Sequence, residues 1–75
     1  MGDHNERYRQ LALNISHFRK KKGLSQQQLA ELAHISRGHL SHIEAPNMLS
    51  SVSLLTLFEI AQILEIEPYE LFKFK

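Results

Sequence analysis

Apolar residues recur along the chain at three- and four-residue intervals, interrupted at short distances by glycine, proline and serine. Side chains so spaced share one face of a helix, so the pattern predicts a succession of short amphipathic helices. Tyr8, Leu11, Ile15 and Phe18 form such a face in a first helix from about Glu6 to Lys21, ended by Gly23. Asp3 and Glu6 have capping-box spacing at its start, and Asn5 is an alternative cap. A second helix opens at Ser25, which has capping-box spacing to Gln28, and stops near His34. Its buried side is Leu29, Ala30, Leu32 and Ala33. A third takes Ser36 as N-cap and runs to Glu44, with Leu40 and Ile43 inward; Pro46 stops it. Residues 47–52 read as a loop. Ser53 caps a fourth helix reaching about Leu64, with Leu54, Leu57, Ala61 and Leu64 on one stripe. Pro68 suits the first turn of a short fifth helix, Tyr69 to Phe72. No stretch alternates as a strand would. The expected fold is all-α, a compact arrangement of five helices.

The chain has 75 residues, with no internal repeat or linker, and reads as a single domain. Residues 1–5 are expected to be a flexible tail. There is no cysteine, so neither a disulfide nor a thiolate zinc site can staple so small a core. Apolar packing must hold it, helped in many proteins of this size by a second subunit. The helix pair at about 25–44 is joined only by His34 and Ile35, which forces a tight, steep crossing. Two such helices bury little by themselves and need the first and fourth helices behind them.

Net charge is only +1, but its distribution is uneven. Residues 1–42 hold seven basic and three acidic side chains, whereas residues 43–75 hold two basic and five acidic ones. One half is suited to an anion and the other to something else, unless the charges are simply solvated. No apolar run approaches the roughly 18 residues that span a membrane, and the start lacks the apolar segment of a secretion signal. A cytoplasmic protein is expected.

The run Leu24-Ser25-Gln26-Gln27-Gln28-Leu29-Ala30, then Ile35-Ser36, then Leu40-Ser41-His42-Ile43-Glu44, resembles the phage repressor and Cro type of helix-turn-helix, the XRE-like family. Ser53-Leu54-Leu55-Thr56-Leu57, Ile60-Ala61 and Leu64 resemble that family's fourth helix, so the likeness covers roughly residues 8 to 72. It implies a repressor-like five-helix domain that binds operator DNA, usually as a two-fold dimer. It also implies that Arg19 pairs with Glu44 and locks the helix pair to the first helix. The chain departs from the family pattern at His34, where glycine is usual. His tolerates left-handed backbone better than most residues. Ala45-Pro46 is a second departure, and the loop after it, longer than usual and without Lys or Arg, is a third. The usual loop contact with phosphate is therefore not expected.

At 100° per residue the third helix turns Leu40 and Ile43 inward, and Gly38, Ser41 and His42 outward. Arg37 lies at the flank and His39 on the boundary. Such a face is too small and polar for a core and suits the DNA major groove. Arg37 is the candidate for reading guanine, since a guanidinium bonds both O6 and N7; a phosphate contact is the alternative. Ser41 and His42 are secondary base-edge candidates. Gly38 implies close approach of the backbone, either to DNA or to the second helix. Gln26, with Gln27 beside it, opens the second helix and is a candidate for phosphate, as is Ser36 at the third. Lys20, Lys21 and Lys22 either add salt-sensitive affinity or form a solvated face.

Enzyme chemistry has no support: there is no carboxylate pair, phosphate loop or Ser–His–acid grouping. His39 and His42 are spaced as two metal ligands could be, but no third ligand has a motif, so no metal or cofactor is expected. No small-molecule ligand is evident. The partners expected are double-stranded DNA and a second copy of the chain, in a transcriptional regulator. The alternative is an antitoxin or a protein-interaction subunit. Of the apolar Tyr69, Leu71, Phe72 and Phe74, some are expected to complete the core and the rest to pair two subunits, through the fourth-to-fifth helix region and tail.

Overall fold

The computed structural model describes residues 4–46 and 52–73. Four α-helices and a 3₁₀ turn follow one another: α1 (His4–Lys22), α2 (Gln26–Leu32), α3 (Arg37–Ile43), α4 (Leu54–Leu64) and the turn Pro68–Phe72. No strand occurs among the described residues, and none of their helices is long and apolar enough to cross a membrane. Asp3, residues 47–51 of the loop and Phe74 lie outside the described residues.

Each element contributes one fully buried large side chain: Ile15, Leu29, Leu40, Ile60 and Leu71. They meet in a single core with Leu11, Ala30, Ala33, Ile43, Leu57, Ala61 and Leu64. The 3₁₀ turn is held to α1 by Asn14, whose Nδ2 donates to the carbonyls of Leu71 (2.9 Å) and Lys73 (3.1 Å). Gln10 in turn donates to Asn14 Oδ1 at 3.1 Å. The segment is 3₁₀ rather than the α-helix expected, with Glu70 N–H donating to the Glu67 carbonyl at 2.9 Å. A five-residue piece opened by proline has too few donors for an α-helical ladder.

Three helices end by one device. Gly23, His34 and Glu65 each take positive φ (83°, 60° and 59°). The N–H of the following residue reaches back to a carbonyl of the last turn: Leu24 to Arg19, Ile35 to Ala30, Ile66 to Ala61, at 3.1, 3.0 and 3.0 Å. Leu24, Ile35 and Ile66 are apolar and pack onto the core, as the Schellman motif requires. His34 therefore replaces glycine without loss of the turn.

Several expected positions differ. α1 starts at His4, so Asn5 lies inside the helix and is not its cap, and residues 4 and 5 of the expected tail are helical. Leu32 is exposed because it sits about 100° round α2 from the line of Leu29, Ala30 and Ala33. Leu54 is exposed at the first position of α4, off the stripe of Leu57, Ile60, Ala61 and Leu64. Tyr8 is exposed at the mouth of a shallow groove that it lines with Leu11, Val52, Leu54, Leu57 and Phe72.

Left-handed backbone costs an L-residue about 1–2 kcal/mol, and glycine returns about 0.5–1 kcal/mol of that as chain entropy. His34→Gly should therefore raise stability by up to about 1 kcal/mol, or several degrees in Tm. His34→Val should lower it by about 1–2 kcal/mol, since a β-branched side chain fits this region worst. Thermal melts followed by circular dichroism check both.

Candidate nucleic-acid interface

The helix pair is built from two well-capped helices. The N–H of Gln28 donates to Ser25 Oγ at 3.0 Å, and the N–H of Ser25 to Gln28 Oε1 at 2.8 Å, a complete capping box. Ser36 Oγ accepts from the N–H of His39 at 2.9 Å, which starts α3 immediately after the His34–Ile35 turn.

A buried ion pair anchors the far end of α3. Arg19 Nε donates to Glu44 Oε2 at 2.8 Å, and Arg19 Nη2 to Glu44 Oε1 at 3.1 Å. The two side chains are only 10% and 3% exposed. Arg19 Nη1 also donates to the Leu24 carbonyl at 2.8 Å, and Gln26 Nε2 to Glu44 Oε1 at 3.1 Å. One guanidinium and one carboxylate thus join the end of α1, the start of α2 and the end of α3. Among the described residues no buried side-chain polar atom lacks a partner.

With that end fixed, α3 presents Arg37, Gly38, His39, Ser41 and His42, all exposed. Leu40, Ile43 and Glu44 are buried, so the core lies on one side of the helix. Gly38 stands about 180° from the mean direction of those three, at the middle of the outward face. His42 and Ser41 flank it, and Arg37 and His39 form the edges. A Cβ built on Gly38 would meet nothing within 4 Å among the described residues. Packing of Gly38 against the second helix, one of the two readings its presence allowed, is thereby overturned.

The other expected site residues divide. Gln26 is half-buried with its amide nitrogen on Glu44, so it belongs to the anchoring network as well as to the start of α2. Gln27 is exposed and donates to Glu31 Oε2 at 2.9 Å along the helix. The Ser36 hydroxyl is engaged as a cap. Lys22 forms an ion pair with Glu65, whose carboxyl is held below the usual carboxylate range, first by the hydrogen bond from Lys22 and then by its charge. Lys21 and Lys22 line a groove with Glu65 and Glu70, which draws them toward the acidic end of the molecule. Not foreseen were the Leu24 carbonyl and the Gln26 amide as parts of the network. Leu55 and Phe58, exposed on the outer side of α4, were not singled out either, although the fourth-to-fifth helix region was the expected pairing surface. Their signal was available in Leu54–Leu64, where only Thr56, Glu59 and Gln62 are polar.

Residues 15–71 match the model of the helix-turn-helix family. The chain belongs to this family, in its XRE-like form. Its fold is similar to that of the restriction-modification controller protein C.AhdI from Aeromonas hydrophila, 35% identical over 84% of this chain and 92% of that one, with a TM-score of 0.76. It is also similar to SinR of Bacillus subtilis, the master regulator for biofilm formation, solved in complex with DNA. There the identity is 30% over 84% of this chain and 98% of that one, with a TM-score of 0.76. The clp gene regulator ClgR from Corynebacterium glutamicum is 26% identical over 93% and 69%, with a TM-score of 0.78. No curated protein matches the sequence.

Removing one partner of a buried ion pair costs about 3–5 kcal/mol, because the other charge stays buried. A domain of this length has a total stability of roughly 4–11 kcal/mol. Glu44→Ala should therefore melt far below the wild type and lose DNA binding through unfolding. A variant that melts like the wild type yet binds no DNA would place Glu44 on the recognition surface instead.

Proposed function

We propose that this helix-turn-helix protein is a sequence-specific double-stranded DNA-binding transcriptional regulator that acts in the cytoplasm as a homodimer, by binding rather than by catalysis. The observation that carries the reading is the outward face of α3. Five exposed residues, Arg37, Gly38, His39, Ser41 and His42, lie on a helix whose other side is locked into the core. Such a face fits the major groove, which admits one helix. Arg37 is the long cation on that face, at the end this motif turns toward base edges. Gln26, Gln27 and Ser36 stand beside it at the starts of α2 and α3, where side chains of this kind position the protein on the phosphate backbone.

Dimerisation is supported by α4. Leu54, Leu55 and Phe58 are 64%, 67% and 50% exposed and fall within about 100° of helix surface, centred about 115° round the helix from the buried stripe. A helix that is apolar on a flank as well as on its core side needs cover on both. A second copy, related by a two-fold axis, would supply it and would match an inverted-repeat target with half-sites about 34 Å apart. A protein partner on the same surface is the second reading, supported by the similarity to SinR solved in complex with SinI.

Arg37→Ala should cost about 1–3 kcal/mol on the preferred sequence and relax base preference at one position per half-site. Binding to a selected consensus and to scrambled duplex, at one salt concentration, checks this; equal losses on both would make Arg37 a phosphate contact. Sedimentation equilibrium tests the dimer. The wild type should show twice the chain mass, and Leu55→Glu with Phe58→Glu should show the chain mass. A monomeric wild type bound to one asymmetric site would refute the symmetry.

A further inference from the structure

The reading of α3 as a recognition helix leaves one residue unexplained. Gly38 is the second residue of a seven-residue helix, a position where alanine would be more stable. Among the described residues nothing asks for glycine there. Its φ is not in the left-handed region, and space for a Cβ is open. A residue that weakens its own helix without an internal reason is best explained by an external surface.

We propose that Gly38 is a specificity-determining residue, and that the notch it leaves lets the backbone of α3 rest against the base-pair edges of the major groove. This rests on the proposed DNA-binding role and adds a steric element to it. The notch lies at the centre of the outward face, where the helix surface is nearest to whatever it docks on. Ser41 and His42 wall it, and Arg37 stands at its edge. A helix seated deeply there brings the Arg37 guanidinium within hydrogen-bonding reach of base edges. A side chain at residue 38 would hold the helix away and shorten that reach. The notch also suits the one apolar group that protrudes from the floor of the groove, the thymine methyl.

The test compares Gly38→Ala and Gly38→Leu with the wild type, on a consensus duplex selected from random DNA and on scrambled duplex of the same composition. Both side chains favour helix, so both variants should fold. Gly38→Ala should raise Tm by about 2–8 °C, the gain expected from losing a helical glycine in so small a domain. Its affinity for the consensus should nevertheless fall about tenfold or more, comparable to a lost base contact, and further in Gly38→Leu. Affinity for scrambled duplex should change by less than about twofold, since phosphate contacts dominate there. An alanine variant that is more stable and binds the consensus as tightly as the wild type overturns the proposal. Equal losses on the two duplexes, or a lower Tm, also overturn it. In all those cases the DNA-binding role stands. A wild type that selects no duplex at all overturns that role, and the notch with it.

Discussion

The geometry of the helix pair depends on the buried contact between Arg19 and Glu44. The guanidinium lies at the end of α1 and the carboxylate at the end of α3, and each is largely shut off from water. Charges in that position must find partners, and these do so completely, through two bonds to each other, one to the Leu24 carbonyl and one from Gln26. Burying two charges adds little net stability over a well-packed apolar pair. What it adds is intolerance of misalignment, because a small shift leaves a charge unpaired. α3 is short and shares only Leu40, Ile43 and Glu44 with the interior, so an anchor at its last turn governs how steadily its outward face is held.

The rest of the fold supports that anchor. The Schellman ends at Gly23 and His34 turn the chain sharply on either side of α2 and place Leu24 and Ile35 against the core. The Leu24 carbonyl is thereby brought to Arg19, so the end of α1 takes part in the charge network that fixes α3. Asn14 does a comparable task at the other end, tying the 3₁₀ turn to α1 and seating Leu71 in the core. α4 closes the core from one side only, and its outer leucines and Phe58 remain uncovered.

What could be read from the sequence follows the range of each interaction. Ser25 with Gln28, Ser36, Ser53 and Gly23 act within three or four residues, and each was legible from local spacing. Leu29, Leu40 and Ile43 were legible from period. Leu32 and Leu54 were not, because apolar type does not distinguish the inner from the outer side of a helix that is apolar around most of its surface. Arg19 and Glu44 are 25 positions apart, and no local rule joins them; only the family likeness pointed to the pair. The left-handed Glu65 had no signal of its own, since glutamate seldom occupies that backbone region. Gly38 was noticeable at once, but only the space around its missing side chain could separate internal packing from an outward notch.

The central claim is that the Arg19–Glu44 pair serves to position α3 and makes no contact with DNA itself. A double-mutant cycle tests it directly, using Arg19→Met, Glu44→Leu and the two together, with denaturant stability and DNA affinity measured on each. The account predicts two unstable single variants and a double variant restored to within about 1–2 kcal/mol of wild type, because apolar side chains of similar size can fill the site. The double variant should bind DNA with nearly wild-type affinity. A double variant as stable as the wild type that has lost DNA binding would contradict the claim and make the pair part of the recognition surface.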